Sequence, residues 1–304
     1  MSSPNDIQLW PARARGRWGF MDQRGHFVIA PQWRDAAPFH ERRALVLTDT
    51  GWGYIHPGGG LVGEAKWDDA LPMSAGLGVV TQGERWGAVD SMGREKLPLK
   101  YSGLTRQDAG WGMARDEQRW GAIDGEGNWL TEPTFDDAWA PSQGWARVEK
   151  AEWIGWVDAE GRRLTELPIE HANDFNEGFA AALWGDGWGY LNREGAVTIA
   201  PRFESARDFS EGLAAVELDG GWGFVNAAGE LTIAPDFERV GDFSAGRARA
   251  RRDTKWGFID TKGQWIIAPT YDEAHAYDRV IAQTRRDAGL VWLNLQGEQV
   301  HSDT

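Results

Sequence analysis

Apolar and polar residues alternate in short runs along this chain, and the runs recur at a fixed interval. The stretch WGFID at 256–260 alternates like a half-buried strand, and WIIAP at 265–269 is a β-branched run that stops at proline. A third kind of run, LAAVEL at 213–218, precedes a Trp-Gly pair. No apolar pattern with a 3.6-residue period is sustained, so the chain is predicted to be all-β.

The Trp-Gly pair marks an internal repeat of 34 residues. It begins at Trp18, Trp52, Trp86, Trp120, Trp188, Trp222 and Trp256, and degenerate copies stand at Ile154-Gly155 and Leu290-Val291. Nine copies therefore fill residues 1–304 without insertion or deletion, which predicts a single array. Its hairpin cores start near residues 18, 52, 86, 120, 154, 188, 222, 256 and 290, and the last copy is expected to be a degenerate cap.

Conserved spacing inside each repeat predicts a hairpin. With the Trp counted as repeat position 0, position 4 is Asp or Asn in eight of the nine copies, His56 being the exception, and position 7 is always Gly. The Asp side chain can accept bonds from the amides of its own turn, and Gly supplies the positive φ that closes it. Each repeat is thus predicted to be a three-stranded antiparallel meander, followed by a linker whose aromatic residue at position 21 points inward.

A unit this small cannot bury a core alone, so successive units are expected to stack, with the position-0 tryptophans packed in the core or between repeats. A helical repeat of the same length is rejected, because several Gly residues per repeat would each cost about 1 kcal/mol in a helix. An open, curved β-solenoid is favoured over a closed propeller, because propeller blades usually have four strands. The Gly after each Trp is predicted to admit a close approach by another segment.

The stretch KWGFIDTKGQWIIAPTYDEA at 255–274 resembles the consensus of the WG β-repeat family of bacterial proteins. The resemblance extends over essentially the whole chain. It implies a repetitive all-β architecture and implies little about activity. The sequence departs from the pattern at Ile154-Gly155-Trp156 and at Leu290-Val291-Trp292.

Composition narrows the function classes. The net charge is −14, from 32 basic and 46 acidic residues, which disfavours nucleic acid and anionic membranes and favours a basic partner. There is no cysteine, so thiolate metal sites and disulfides are excluded. No apolar run is long enough for a signal peptide or a membrane span, and a cytoplasmic location is expected.

Catalysis finds little support in the sequence. The six histidines fall at six different repeat positions, and no metalloprotease, nucleophile-elbow or phosphate-loop motif occurs. We therefore expect no enzyme activity, no cofactor and no metal site. Residues at positions 16 and 17 are often acidic. Their carboxylates could cap turns and keep the surface solvated, could attract a partner, or could form a cation site or a proton-transfer pair.

Two groups of side chains are candidates for partner binding. Trp153, Trp156 and Trp184 surround the irregular fifth repeat, and Arg247, Arg249 and Arg251 share one face of a strand. Both groups also have a purely structural explanation, as local packing or a solvated outer face. The function predicted is a non-catalytic scaffold for protein–protein recognition, with a basic partner such as a secreted toxin. The alternative is a carbohydrate-binding module that uses Trp153 and Trp184.

Overall fold

The computed structural model describes residues 9–278, 280–287 and 289–303. Their regular secondary structure consists of β-strands. The described chain divides into two compact units: unit 1 runs to residue 150 and includes 158–162, and unit 2 contains 151–157 and the residues from 163 onward. Among the described residues, no helix has the length and apolar character that a membrane span requires.

Six of the nine sheets in the described ranges have four strands instead of the three that the sequence pattern predicts, and the other three sheets have three strands. In unit 1, Asp35–Ala36, Ala44–Leu47, Trp52–Ile55 and Leu61–Trp67 (β4 to β7) form a four-stranded sheet in chain order. The extra strand comes from the linker, where Asp35 pairs with Leu47 and Ala36 with Val46. Two linker residues are enough for this pairing, and they carry no strand pattern of their own.

The prediction of an open β-solenoid is wrong. The antiparallel meanders, of four or three strands, are the blades of a nine-bladed β-propeller, and the all-β class and the repeat are as predicted. The error has a physical origin: the sequence pattern predicts three strands per unit, whereas propeller blades usually have four, and the short linker strand supplies the fourth.

The remaining strands of unit 1 form one more sheet of four strands, two sheets of three strands, and two strands of a further sheet. They are β1 (Trp10–Ala14), β2 (Arg17–Met21), β3 (Phe27–Trp33), β8 (Asp69–Ala70), β9 (Leu77–Gln82), β10 (Arg85–Asp90), β11 (Glu95–Tyr101), β12 (Gly103–Leu104), β13 (Trp111–Arg115), β14 (Trp120–Asp124), β15 (Asp137–Ala138) and β16 (Ala146–Lys150).

Unit 2 opens with β17 and continues with four sheets of four strands each. Its strands are β17 (Trp153–Val157), β18 (His171–Ala172), β19 (Phe179–Trp184), β20 (Gly187–Asn192), β21 (Val197–Phe203), β22 (Ser205–Ser210), β23 (Leu213–Leu218), β24 (Gly221–Asn226), β25 (Leu231–Phe237), β26 (Arg239–Val240), β27 (Ala248–Arg252), β28 (Lys255–Ile259), β29 (Trp265–Tyr271), β30 (Glu273–Ala274), β31 (Ala282–Arg286), β32 (Gly289–Leu293) and β33 (Gln299–Ser302).

The hairpin turns have the predicted chemistry. Asp22 Oδ1 accepts bonds from the amides of Arg24 and His26 at 2.9 and 3.0 Å, and Gly25 closes the turn with a φ of 79°. His56, the exception in the sequence, makes an equivalent contact, because its Nδ1 accepts from the amide of Gly58 at 3.0 Å. The turn therefore uses a side-chain acceptor at this position, and a ring nitrogen of His56 takes the place of the usual carboxylate or amide oxygen.

The glycine of the Trp-Gly pair allows a close backbone approach, as predicted. A Cβ at Gly189 would lie 2.6 Å from the carbonyl oxygen of Ile199 on the adjacent strand. The strand register shifts at this point, between the pairs Trp188–Phe203 and Tyr190–Ile199. Glycine is needed because the irregularity brings the neighbouring backbone into the space of a side chain.

The residue two places after the tryptophan fills the core more completely than the tryptophan itself. The seven position-0 rings are half-buried, whereas Tyr190, Phe224 and Phe258 are fully buried. Phe224 packs on Phe243, which lies between β26 and β27 of the following blade, with ring centroids 4.8 Å apart. Trp222 lies at the border of the same cluster. Blade-to-blade packing in unit 2 thus depends on aromatic pairs from positions 2 and 21 of one repeat, which fall in consecutive blades, and the tryptophans cover these pairs.

Candidate functional site

The three candidate tryptophans are mostly enclosed. Trp156 is fully buried and donates its indole Nε1–H to the carbonyl of Asn173 at 2.9 Å. Trp184 is 9% exposed. Trp153 is half-buried, and the guanidinium of Arg163 lies 4.2 Å from its ring centroid. Two of the three rings are therefore unable to stack on a sugar in this structure.

Two of the three candidate arginines make blade-to-blade contacts within unit 2. Arg247 donates to the carbonyl of Leu295 at 2.6 Å, and Arg249 donates to that of Ala274 at 2.6 Å. These two contacts join the blade that contains β27 to the one that follows, so Arg247 and Arg249 have a structural role. Arg251 Nε lies 3.6 Å from a carboxylate oxygen of Glu238 in its own blade.

Arg249 occupies a position that is aliphatic in most repeats. Its counterparts at repeat position 27 include Leu45, Val79 and Ala215. Burial, followed by the neighbouring charge of Arg207, lowers the pKa of the Arg249 guanidinium, and Asp242 opposes the shift. The Nε of Arg249 has no hydrogen-bond partner among the described residues. This burial cannot be predicted from the local pattern, because an alternating Arg-Ala pattern also describes a solvated strand.

The acidic residues at position 16 cap hairpins of the following blade. Asp68 Oδ2 accepts from the amide of Gly83 at 2.6 Å, and Asp272 Oδ2 accepts from that of Asp287 at 2.9 Å. A hydrogen bond from Lys255 and the bond from Asp287 lower the pKa of Asp272. Turn capping, one of the open explanations for these residues, is therefore observed at position 16.

Position 17 has a different environment. Asp35, Asp69 and Asp137 each begin the short strand of a blade in unit 1, and each is exposed. Their Oδ1 atoms accept the amide of the next residue at 2.8, 2.8 and 2.9 Å. None of the three forms an ion pair with a described residue, which leaves their second carboxylate oxygens to solvent.

A contact that the sequence reasoning missed joins the loops of consecutive repeats. We call it the carboxylate clamp: a glutamate at repeat position 23 accepts from the turn amides at positions 23 and 24 of the next repeat. Glu41 binds the amides of Ala75 and Gly76, both at 2.9 Å. Glu177 binds those of Glu211 and Gly212 at 2.7 and 2.8 Å. The recurrence of Glu at position 23 was the available signal.

The clamped turns are two-residue hairpins with left-handed backbone at both central residues. Ala75 and Gly76 have φ values of 51° and 77°, between the mutually bonded Ser74 and Leu77. This is the geometry of a type I′ turn, which directs successive amides toward one side. Such paired amides form a concave anion site, which here holds a carboxylate.

No group of three or more histidine, aspartate or glutamate side chains converges as a set of metal ligands within the described ranges. Polar side chains of neighbouring loops also meet in unit 2. There the Asn173 amide donates to Asp208 at 3.0 Å, and Arg207 Nη1 lies 3.9 Å from Asp242 Oδ1. Both contacts run from repeat position 19 to position 20 of the next repeat and join neighbouring loops.

Comparison with known proteins places the chain in a family. The WG containing repeat family matches residues 18–49, 52–86, 120–152, 188–222, 222–256 and 256–279. The protein belongs to this family of tandem-repeat proteins. No curated protein matches it in sequence.

Solved structures support the fold. The chain is similar to the crystal structure of a eukaryotic initiation factor, with a TM-score of 0.69 and 10% sequence identity over 98% of this chain and 96% of that chain. It is also similar to a dihydro-heme d1 dehydrogenase solved as a complex, with a TM-score of 0.50 and 10% identity over 99% of this chain and 74% of that one. At such identities the likeness concerns the fold alone.

Proposed function

We propose that the protein is a non-catalytic scaffold that binds a basic protein partner through the position-17 carboxylates of unit 1. The observation behind the proposal is the recurrence of Asp35, Asp69 and Asp137 at one blade position, exposed and without ion pairs among the described residues. Each pairs with the residue at repeat position 29, namely Leu47, Thr81 and Glu149, so the three blades present their aspartates in the same register.

The charge of the whole chain acts in the same direction. A net charge of −14 attracts cationic surfaces and repels nucleic acid. A single exposed ion pair contributes only about 0–1 kcal/mol to the free energy of binding. A row of such carboxylates therefore acts mainly by accelerating the association with a cationic partner. A secreted toxin with a basic surface is one class of protein with the required chemistry.

Carbohydrate binding is not proposed as a second function. It depended on Trp153 and Trp184, and Trp184 is buried while Trp153 stacks with Arg163. A sugar platform needs an accessible ring face.

A charge-neutral variant tests the proposal. Proteins captured from a lysate by the wild type and by the Asp35→Asn/Asp69→Asn/Asp137→Asn variant are identified, and the main partner is purified. We expect that partner to be basic and its affinity to fall on raising the ionic strength from about 0.05 to 0.5 M. The triple variant should bind at least about tenfold more weakly, as expected when three charge contacts are lost.

The matched control is Glu95→Gln/Glu132→Gln/Glu194→Gln, which removes the same number of charges from exposed positions in other parts of the blades. It should retain binding. A partner that is acidic, or that binds both triple variants equally, would refute the proposal.

A further inference from the structure

An unoccupied copy of the carboxylate clamp lies in unit 1. We propose that the turn at Ala109–Gly110, together with Arg106, is a docking site for a glutamate side chain of a protein partner. The inference rests on the proposed recognition function and names one contact in it.

The occupied copies show what this kind of turn binds. Glu41 holds the turn of the next repeat with two bonds of 2.9 Å, and Glu177 does so with bonds of 2.7 and 2.8 Å. Glu211 binds the amide of Gly246 at 2.8 Å. In all three copies the ligand is the carboxylate of a glutamate presented by a neighbouring loop.

The turn at Ala109–Gly110 has the same backbone and lacks this ligand. Its φ values are 49° and 85°, and Asp108 and Trp111 exchange backbone bonds of 2.9 and 3.1 Å around it. The residue that would supply the carboxylate from the preceding repeat is Ala75. Within the described ranges the amides of Ala109 and Gly110 have no acceptor.

Arg106, three residues before Ala109, is the candidate cation for the vacant turn. Its side chain is exposed and makes no hydrogen bond or ion pair with any residue that the structure describes. Side chains at its repeat position, 20, face the preceding loop in other repeats, as shown by Asp208 bonded to Asn173 and Asp242 beside Arg207. We infer from this shared repeat position that Arg106 also points toward the preceding loop, which contains Ala75.

The combination fits one carboxylate group. Two adjacent amides can bond its two oxygens, and a guanidinium beside them adds a charge-assisted contact. The next turn along, at 143–144, has Ala140 at position 20 instead of an arginine. We commit to glutamate because the three occupied copies use the length of that side chain.

The site can be tested in the full chain by nuclear magnetic resonance. The 15N-labelled protein is titrated with N-acetyl-glutamate N-methylamide, and the amide signals of Ala109 and Gly110 are followed. We expect a saturable shift of both signals, with those of Gly76 and Gly212 unmoved because their turns are already occupied. The glutamine analogue of the probe should produce no comparable shift.

Variants define the contact. Arg106→Gln should weaken probe binding about 3- to 10-fold, the range expected for the loss of one exposed charge-assisted contact. Ala75→Glu should abolish the shift, since its own carboxylate would fill the turn. Ala75→Gln, of matched size, should retain binding.

Three outcomes would overturn the inference: no shift at Gly110, an equal shift at the occupied Gly76, or equal binding by the glutamine analogue. These results do not depend on Ala75→Glu folding correctly, because they use the wild type. Should the partner found with the aspartate variants bind Ala75→Glu unchanged, the scaffold function would stand and the docking site would be refuted.

Discussion

Glu177 and Glu211 occupy the same position of consecutive repeats, and the carboxylate of Glu177 binds the backbone amide of Glu211. The Glu177 carboxylate accepts the backbone amide of Glu211 at 2.7 Å, and the Glu211 carboxylate accepts that of Gly246 one repeat further on. Glu211 is therefore bound through its backbone amide by the preceding loop, and it binds the following loop through its carboxylate. This series ties three consecutive blades of unit 2 together through their turns, in addition to the aromatic contacts of the core.

Removal of one clamp should loosen the turn that it binds. We expect Glu177→Ala to lower the free energy of unfolding by about 1 kcal/mol, less than the usual range for charged hydrogen bonds because the site is exposed. The amide of Gly212 should exchange faster with deuterium. Urea unfolding and hydrogen exchange measure the two effects.

The control for this variant is Glu194→Ala, an exposed glutamate in a hairpin of the same unit. This control variant should have a free energy of unfolding and a Gly212 exchange rate close to those of the wild type. Equal protection of Gly212 in the wild type and Glu177→Ala would mean that the clamp contributes nothing.

A clamp can be added where the series is interrupted. Ala75→Glu should raise the free energy of unfolding by up to about 1 kcal/mol, because its carboxylate can bond the free amides of Ala109 and Gly110. The backbone suits the change: Ala75 has a φ of 51°, and the clamp residues Glu41 and Glu177 have 48° and 49°.

The stability of Ala75→Glu is compared with that of Ala75→Gln by thermal and urea unfolding. The amide side chain has the same length and only one acceptor oxygen, so its effect should be smaller. A variant Ala75→Glu that is no more stable than Ala75→Gln would contradict the expected contact.

The glycine after the tryptophan should be far less replaceable than a turn glycine in the same blade. Gly189→Ala would place a Cβ 2.6 Å from the Ile199 oxygen and 2.6 Å from the Trp184 ring, which should cost about 3 kcal/mol through overpacking. Gly185→Ala meets no atom within 4 Å and bears only the strain of a φ of 61°, about 1–2 kcal/mol. Urea unfolding of the two variants gives the comparison, and equal losses would exclude backbone crowding as the reason for the Trp-Gly pair.

Buried tyrosines should make the fold sensitive to alkaline pH. Burial raises the pKa of Tyr277 to about 12, and it also raises the pKa of Tyr54 and Tyr190. Unfolded tyrosine titrates near pH 10. Between about pH 10 and 12 the unfolded chain loses protons that the folded chain keeps, so stability present below pH 10 declines as the pH rises.

Urea midpoints measured from pH 8 to pH 11.5 should show this decline. The slope per tyrosine is at most about 1.4 kcal/mol per pH unit. Replacing Tyr190 with Phe should reduce the slope above pH 10 even though the variant also loses the bond from its hydroxyl to the Arg207 carbonyl. An unchanged slope would contradict the link to this side chain.

The sequence by itself determined the local structure of this protein. The repeat length, the strand pattern and the turn of Asp22 to Gly25 all depend on contacts within a few residues, and the structure confirms them. Even the exception at His56 could be understood from the need for an acceptor in the turn. The glycine beside each tryptophan was also predicted, because a strand glycine commonly marks a close approach.

Only the tertiary structure decided which strands and side chains contact one another across repeats. The pairing of Asp35 and Ala36 with β5 adds a fourth strand to a three-stranded unit and so completes a propeller blade. A strand of two residues is too short to show a periodic pattern in the sequence. The burial of Trp156 and Arg249 follows from neighbouring blades rather than from their own strands. The clamp of Glu41 on Ala75 and Gly76 likewise spans 34 residues or more, beyond the reach of local pattern, because a contact between blades exists only once the blades are packed.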